Sequence, residues 1–270
     1  MTCQIAIHGA LGRMGRAVLS LVLDDERARL VSAIEKEGCA QRGQDIGTLI
    51  GRSEKAGVVV TDSLEQALTN AEVVIDFTQP QSTRALASAC ASRGIPVVIG
   101  TTGLDAACER AIDELAAVAP VVIAPNFSVG VHVLLHLAAR ATELLGPDFD
   151  IEIVEMHHRK KVDAPSGTAL RLLESVANAR GVDPKKNSVF GRNGEVGART
   201  DKQIGVLALR GGDVVGEHTL ILAGPGERLE ITHRAHSREI FARGVIRAAY
   251  WVVGKKPGRY SMADVLDLNR

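Results

Sequence analysis

Gln4-Ile-Ala-Ile-His-Gly9-Ala-Leu-Gly12-Arg-Met-Gly15-Arg-Ala-Val-Leu19 decides the fold class. An apolar, β-branched run is followed by three glycines and then by apolar residues at helical spacing, which describes a strand, a tight turn and a helix N-terminus. Such a turn lets backbone close on a pyrophosphate. The usual spacing is GxGxxG, whereas this chain reads GxxGxxG, so on spacing alone a plain strand-to-helix turn explains the glycines equally well. The context favours a dinucleotide. Glu35 stands at the end of the second apolar run, 20 positions past Gly15, where an acceptor for a ribose hydroxyl is expected. Lys36 follows it, and a cation there suits a 2′-phosphate, so the same strand end carries features for NADH and for NADPH. A solvated charge cluster is the bland reading of Glu35-Lys36-Glu37.

Outward from this stretch, short apolar runs alternate with Ala- and Leu-rich helical segments. Strands are predicted at 4–7, 29–34, 58–60, 73–77, 97–99 and 121–123, and helices at 13–23, 63–69, 81–92 and 106–118. The strand runs are continuously hydrophobic, as strands buried on both faces require. This predicts an α/β fold with a Rossmann-type doubly wound parallel sheet. Ser63 is a predicted N-cap, and Gly94 with Pro96 ends the helix before them.

Beyond about residue 126 the pattern changes. A long helix over 129–145 stops at Gly146-Pro147, and Ile151-Glu-Ile-Val-Glu-Met156 starts a strand of alternating character. Segments 203–209, 217–222 and 228–233 are separated by glycine-rich turns and are predicted to form an antiparallel meander with one solvated or interface face. This is a smaller α+β, mixed-sheet domain. The segment 238–253 is helical again, and Ser261 caps a short closing helix through Leu268. The expected division is a dinucleotide-binding domain over 1–126, completed by 240–270, and a substrate-binding and tetramerisation domain over 127–239.

Composition excludes several functions. The 32 Lys and Arg balance the 32 Asp and Glu, which argues against a nucleic-acid binder. Aromatic residues are only 3%, too few for a base-stacking platform. Cys3, Cys39, Cys90 and Cys108 form no CxxC pair and read as reduced small hydrophobes rather than disulfides or a zinc site. The chain opens directly into an apolar strand without a cationic leader, and no apolar run is long enough to span a bilayer, so a cytoplasmic protein is expected.

In a chain of zero net charge, His157-His158-Arg159-Lys160-Lys161 is a concentration of cations. It precedes Val162-Asp-Ala-Pro-Ser166-Gly-Thr168 and an apolar-periodic run over 169–177. Ser166 is therefore a predicted N-cap, with the N–H groups of Gly167 and Thr168 open to an anion. Cations beside a helix N-terminus suit a small carboxylate-bearing molecule. Histidine is the side chain best placed to give up a proton near neutral pH. An exposed basic turn is the bland alternative. A metal pair at the adjacent histidines is disfavoured, because neighbours at a strand end point apart.

These segments, together with VIDFT, GTTG, Ala124-Pro-Asn-Phe-Ser-Val-Gly130, GERLEITHRAHSR and the closing DVLDLN, resemble the bacterial 4-hydroxy-tetrahydrodipicolinate reductase (dihydrodipicolinate reductase) family of lysine and diaminopimelate biosynthesis. HHRKKVDAPSGTA is the most specific of them, and the resemblance spans nearly the whole chain. It implies that Gly9, Ala10, Leu11, Gly12, Arg13 and Met14 hold the cofactor pyrophosphate. Glu35 and Lys36 would meet the adenosine ribose, and Gly100, Thr101 and Thr102 with Ala124, Pro125, Asn126 and Phe127 would line the nicotinamide side. His157 is implied as proton donor, Lys161 as second acid or carboxylate anchor, and His158, Gly167 and Thr168 as substrate ligands; no metal is implied.

The resemblance further implies NADH or NADPH as cofactor, a small dicarboxylate substrate, a homotetramer built on the open sheet face, and a hinge that closes the domains over both ligands. Leu11 stands where some relatives carry Gly, and Gln79 where some carry Arg; the lost cation weakens a preference for NADPH. The alternatives are another two-domain NAD(P)-dependent dehydrogenase, similar to homoserine or aspartate dehydrogenase, and a catalytically silent NAD(P)H sensor. Neither explains HHRKKVDAPSGT.

Overall fold

The computed structural model describes residues 2–269, which divide into two compact units, residues 2–129 with 239–269 and residues 130–238. In the first unit β1 (Cys3–His8), β2 (Ala28–Ile34), β3 (Val60–Thr61), β4 (Val73–Asp76), β5 (Val97–Ile99), β6 (Pro120–Ile123) and β12 (Gly258–Tyr260) form one sheet. Its order is β12-β6-β5-β4-β1-β2-β3, every pairing is parallel, and the order reverses between β1 and β4. That switch point places the carboxyl ends of β1 and β4 at a crevice.

Successive residues of these strands feed two different cores, because side chains alternate across a sheet. Ile5, Ile7, Val73, Ile75, Val98 and Val122 pack with α1 (Arg13–Asp24), α9 (Glu239–Val252) and α10 (Met262–Val265). Ala6, Val74, Val97, Ile99 and Val121 pack with α3 (Leu64–Ala67), α4 (Pro80–Ala91) and α5 (Ala106–Ala116). Val18, Leu19 and Val22 of α1 are almost wholly buried, each worth about 1.5–3 kcal/mol of transfer free energy. The short α2 (Ile46–Leu49) is capped by Asp45, and α3 by Ser63, as the sequence predicts for Ser63.

The second unit holds α6 (Val129–Leu145, whose first residue lies in the first unit), β7 (Asp150–His157), α7 (Gly167–Arg180), α8 (Pro184–Asn187), β8 (Ser188–Val189), β9 (Ile204–Arg210), β10 (Gly216–Gly224) and β11 (Glu227–Ala235). Its sheet order is β11-β10-β7-β9-β8. Ile151, Ile153, Val206, Leu220 and Leu222 lie on the face covered by α6 and α7.

The three late strands are not a simple antiparallel meander: β10 and β11 form the expected hairpin, but β9 runs parallel to β7 on that strand's other edge. The alternation of β9 specified which of its faces is buried and carried no information about its neighbour. Residues 211–215 step over the end of β7, and the Gly211 N–H donates to the His157 carbonyl, 3.0 Å. The segment at 58–60 is also shorter and shifted, with only Val60 and Thr61 paired to β2.

Candidate functional site

In the first unit the glycine turn sits at the β1 end of the switch point. Gly9 has φ +77°, and a Cβ there would lie 2.5 Å from the Phe77 carbonyl oxygen. A Cβ on Gly15 would lie 2.1 Å from the Gly9 carbonyl oxygen, so α1 approaches the turn as closely as backbone allows. Gly12 precedes α1 in extended conformation and supplies no side-chain cap, which leaves the helix N-terminus as an anion-facing surface. Ala10, Arg13 and Met14 belong to this turn and the first turn of α1.

Glu35 reaches the same turn. The Leu11 N–H donates to its Oε1, 2.7 Å, while Arg16 Nε donates to the Leu11 carbonyl, 3.0 Å. The Leu11 peptide is thereby held from both sides. Lys36 follows Glu35 past the end of β2. A turn whose glycines leave no room for a Cβ, an uncapped helix start and an acid beside them fit a dinucleotide, whose pyrophosphate would lie against Gly9–Gly12 and a ribose at Glu35.

Gly100, Thr101 and Thr102 follow β5, and Ala124, Pro125, Asn126 and Phe127 follow β6, all at carboxyl ends of strands of one sheet. A Cβ on Gly100 would collide with the Phe77 ring at 2.1 Å, and Phe77 in turn meets Phe127 edge to face with centroids 6.1 Å apart. Thr101, Thr102, Ala124 and Pro125 line a cavity of about 460 Å³ with Arg259. Ser128 N–H donates to Asn126 Oδ1, 2.7 Å.

Beneath these loops is a polar hub that the sequence reading did not assign. Asp76 is fully buried at the end of β4. It accepts from the hydroxyls of Thr78 (2.8 Å), Thr83 (2.5 Å) and Thr101 (3.0 Å), and His8 Nδ1 lies 2.9 Å from its Oδ1. Buried carboxylates require this many partners to offset lost hydration. VIDFT announced the residue without a role for it.

In the second unit the basic cluster is drawn together around the end of β7. His157 is largely buried, its side chain 12% exposed, with Nδ1 2.6 Å from Oε2 of the fully buried Glu155. Glu155 also accepts from Arg210 Nη1 and Nη2 (2.8 and 2.9 Å) and from the Ser166 N–H (3.0 Å). Burial pushes the Glu155 carboxyl up, but Arg210, His157 and Ser166 together hold it below the ordinary glutamate value. His157 lies below the usual histidine range, because burial and the cations Lys161 and Arg210 outweigh Glu155.

Ser166 caps α7 as predicted, its Oγ accepting from the Ala169 N–H, 3.1 Å. The same Oγ lies 2.9 Å from His218 Nε2, and the His218 ring meets that of His157 edge to face at 5.2 Å. Gly167 is exposed at the helix start with open space where a Cβ would stand, and Thr168 follows it. Lys161 Nζ bonds both Asp163 oxygens at 2.8 Å, and His158 Nδ1 is buried without a hydrogen-bond partner. Arg159 and Lys160 are exposed. Among the described residues no group of three or more His, Cys, Asp and Glu is placed to hold a metal ion, and no helix is long and apolar enough to cross a membrane.

The sequence profile of dihydrodipicolinate reductase, N-terminus, matches residues 3–127, and that of dihydrodipicolinate reductase, C-terminus, matches residues 130–266. The chain belongs to the dihydrodipicolinate reductase family. It is an NAD(P)H-dependent oxidoreductase with a Rossmann-type cofactor unit. It is 51% identical to the 4-hydroxy-tetrahydrodipicolinate reductases of Thiobacillus denitrificans and of Alkalilimnicola ehrlichii, covering 99% of this chain and 100% of each relative. A dipicolinate-bound dihydrodipicolinate reductase from Paenisporosarcina sp. TG-14 superposes with a TM-score of 0.79 at 25% identity, covering 98% of this chain and 99% of that one. An amine dehydrogenase from Mycobacterium smegmatis shares the fold at a TM-score of 0.60 and 13% identity, over 97% of this chain and 95% of that one.

Within this family member, the residues missed from sequence are Glu155, Arg210 and His218 in the second unit and His8 and Asp76 in the first. Only Glu155 carried a local signal. It stands two positions before His157 on a strand, and period-two geometry puts both on one face.

Proposed function

We propose that this chain reduces 4-hydroxy-tetrahydrodipicolinate to tetrahydrodipicolinate in diaminopimelate and lysine biosynthesis. The observation that carries the reading is the second-unit cluster: Glu155 joins a mostly buried His157 to the Ser166 N–H at the start of α7, and the Lys161 cation acts on the same histidine. Two carboxylates of a small diacid match this set of cations and N–H donors. Lys161 and His158 anchor one carboxylate, and the Gly167 and Thr168 N–H groups receive the other. Water is lost from the 4-hydroxyl together with a proton of the neighbouring carbon, hydride addition at the former carbinol carbon leaves an enamine, and His157 protonates the enamine carbon.

Gly9, Ala10, Leu11, Gly12, Arg13 and Met14 hold the pyrophosphate of NADH or NADPH, Glu35 and Lys36 the adenosine ribose, and Gly100–Thr102 with Ala124–Phe127 the nicotinamide. The bound cofactor supplies the hydride. In this reading the first unit is the cofactor domain and the second binds substrate and builds a homotetramer. Supporting the latter, Val154, Leu207, Leu209, Thr219 and Ile221 lie on the face of the second sheet opposite α6 and α7, with Leu209 half exposed. A cytoplasmic location accords with this chemistry.

The test is a coupled assay in which a synthase generates the substrate from pyruvate and aspartate semialdehyde while NADH and NADPH consumption are followed in parallel. Synthase-dependent consumption is expected. His157→Gln is expected to lower turnover by roughly 10²- to 10⁴-fold with the cofactor KM unchanged, and unchanged turnover would remove His157 from the reaction.

A further inference from the structure

Glu155 is buried at zero exposure, with His218 opposite it, on the sheet face that also carries Ile151, Ile153, Leu220 and Leu222. A carboxylate there costs several kcal/mol unless it is fully paired, and its pairing is specific. One oxygen meets His157 Nδ1 at 2.6 Å and Arg210 Nη1 at 2.8 Å; the other accepts from Arg210 Nη2 and from the Ser166 N–H at the cap of α7. One side chain thus joins the histidine at the end of β7 to the helix start that faces the substrate carboxylate.

Resting on the proposed role of His157, we infer that Glu155 is a positioning residue for the reduction: it holds the Nδ1–H of His157, so that Nε2 is the atom that delivers the proton. The same carboxylate fixes that atom relative to the anion-binding start of α7. Three further features support this. The ring fits because residue 216 has no side chain, a Cβ at Gly216 falling 2.9 Å from His157 Nε2. His218 from β10 braces the ring edge to face. Arg210 from β9 neutralises Glu155, so His157 can release its proton without stranding a bare buried charge. The charged and titratable groups facing His157 are Glu155 on its own strand, Arg210, His218, and Lys161, which Asp163 pairs. His233 adds a group facing His218.

The test compares Glu155→Gln, Glu155→Asp, His157→Gln and the double variant Glu155→Gln/His157→Gln in the coupled assay across pH. Glu155→Gln is expected to lower kcat about 10- to 100-fold, as loss of an orienting carboxylate does elsewhere, with the NADH KM unchanged. Removing the negative charge lowers the His157 pKa, so the alkaline limb of kcat moves to lower pH. Glu155→Asp keeps the charge and holds the limb nearer its wild-type position. The double variant is expected to be no slower than His157→Gln alone.

A wild-type pH profile in Glu155→Gln, or slowing in the double variant equal to the product of the two single effects, would overturn the inference. Wild-type turnover in His157→Gln overturns the underlying reading instead, whatever Glu155 does. Should Glu155→Gln fail to fold by circular dichroism, Glu155→Asp carries the test: a lowered kcat with a near-wild-type limb supports positioning, and an unaltered kcat overturns it.

Discussion

The N–H of Leu11 lies 2.7 Å from Glu35 Oε1, so the residue expected to meet the ribose is already bonded to the turn expected to hold the pyrophosphate. Ribose recognition and turn geometry therefore share one carboxylate. Glu35→Ala removes both. A hydrogen bond to a charged acceptor is worth about 1.5–3 kcal/mol, so the NADH KM is expected to rise roughly 10- to 100-fold. NADPH suffers less, because the lost negative charge no longer opposes a 2′-phosphate beside Lys36. Kinetics with both cofactors check this, and an equal loss for both would confine Glu35 to bracing the turn.

Gly15→Ala tests the close approach of α1. Its Cβ would stand 2.1 Å from one carbonyl oxygen and 2.6 Å from the next, both of them backbone atoms. Relief requires moving the helix, at about 1–3 kcal/mol or more. A lowered Tm together with a raised cofactor KM is expected; a wild-type Tm would show that the turn yields easily.

Asp76→Ala removes the acceptor of the buried Thr83 and Thr101 hydroxyls and the partner of His8, while the Thr78 hydroxyl keeps contacts to the Gln79 carbonyl and to Thr83. Orphaned buried donors cost about 1–3 kcal/mol each before relaxation. Denaturant unfolding is expected to show a loss of about 3 kcal/mol or more. Thr101→Val removes one arm only and costs correspondingly less.

Acid sensitivity follows from His218. Burial, reinforced by His157, pushes its pKa down to about 4. The unfolded chain therefore binds a proton that the folded chain refuses, and the stability from neutral His218 is complete above about 6.5, the ordinary histidine value. It is lost as pH falls toward 4. His157 and His233 are shifted in the same direction. Tm is expected to decline between pH 6.5 and 5, above the range where carboxylates titrate, and His218→Gln is expected to flatten that slope. A Tm independent of pH in that window would contradict the burial of these rings.

Lys161 is held by both oxygens of Asp163. In the proposed binding mode a substrate carboxylate takes the place of Asp163. Lys161→Ala is expected to raise the substrate KM and to lower kcat, whereas a KM effect alone would restrict Lys161 to anchoring. Asp163→Asn, by freeing the ammonium, is expected to lower the substrate KM.

Much of the fold was readable from local pattern. Continuous apolar runs reported strands buried on both sides, and the five at 4–7, 29–34, 73–77, 97–99 and 121–123 each feed two cores. The switch to alternation after residue 150 reported a sheet with helices on one face only. Ser63, Ser166 and Ser261 were readable as caps because capping is decided within four residues. Neighbour relations were not readable, and β9 shows why: its hydrophobic period is satisfied whichever edge of β7 or β10 it joins.

The class of most elements, the glycine turn and the gathering of cations at residues 157–161 are written locally in the chain, because they depend on chemistry spaced within a few residues. Folding alone brings Arg210 and His218, 55 and 52 residues distant from Glu155 and Ser166 respectively, into one cluster with His157. Likewise it brings Thr101 to Asp76 and Glu35 to Leu11. The reason is physical: a buried charge must be matched by whatever partners the sheet register delivers, and register is a property of the folded chain.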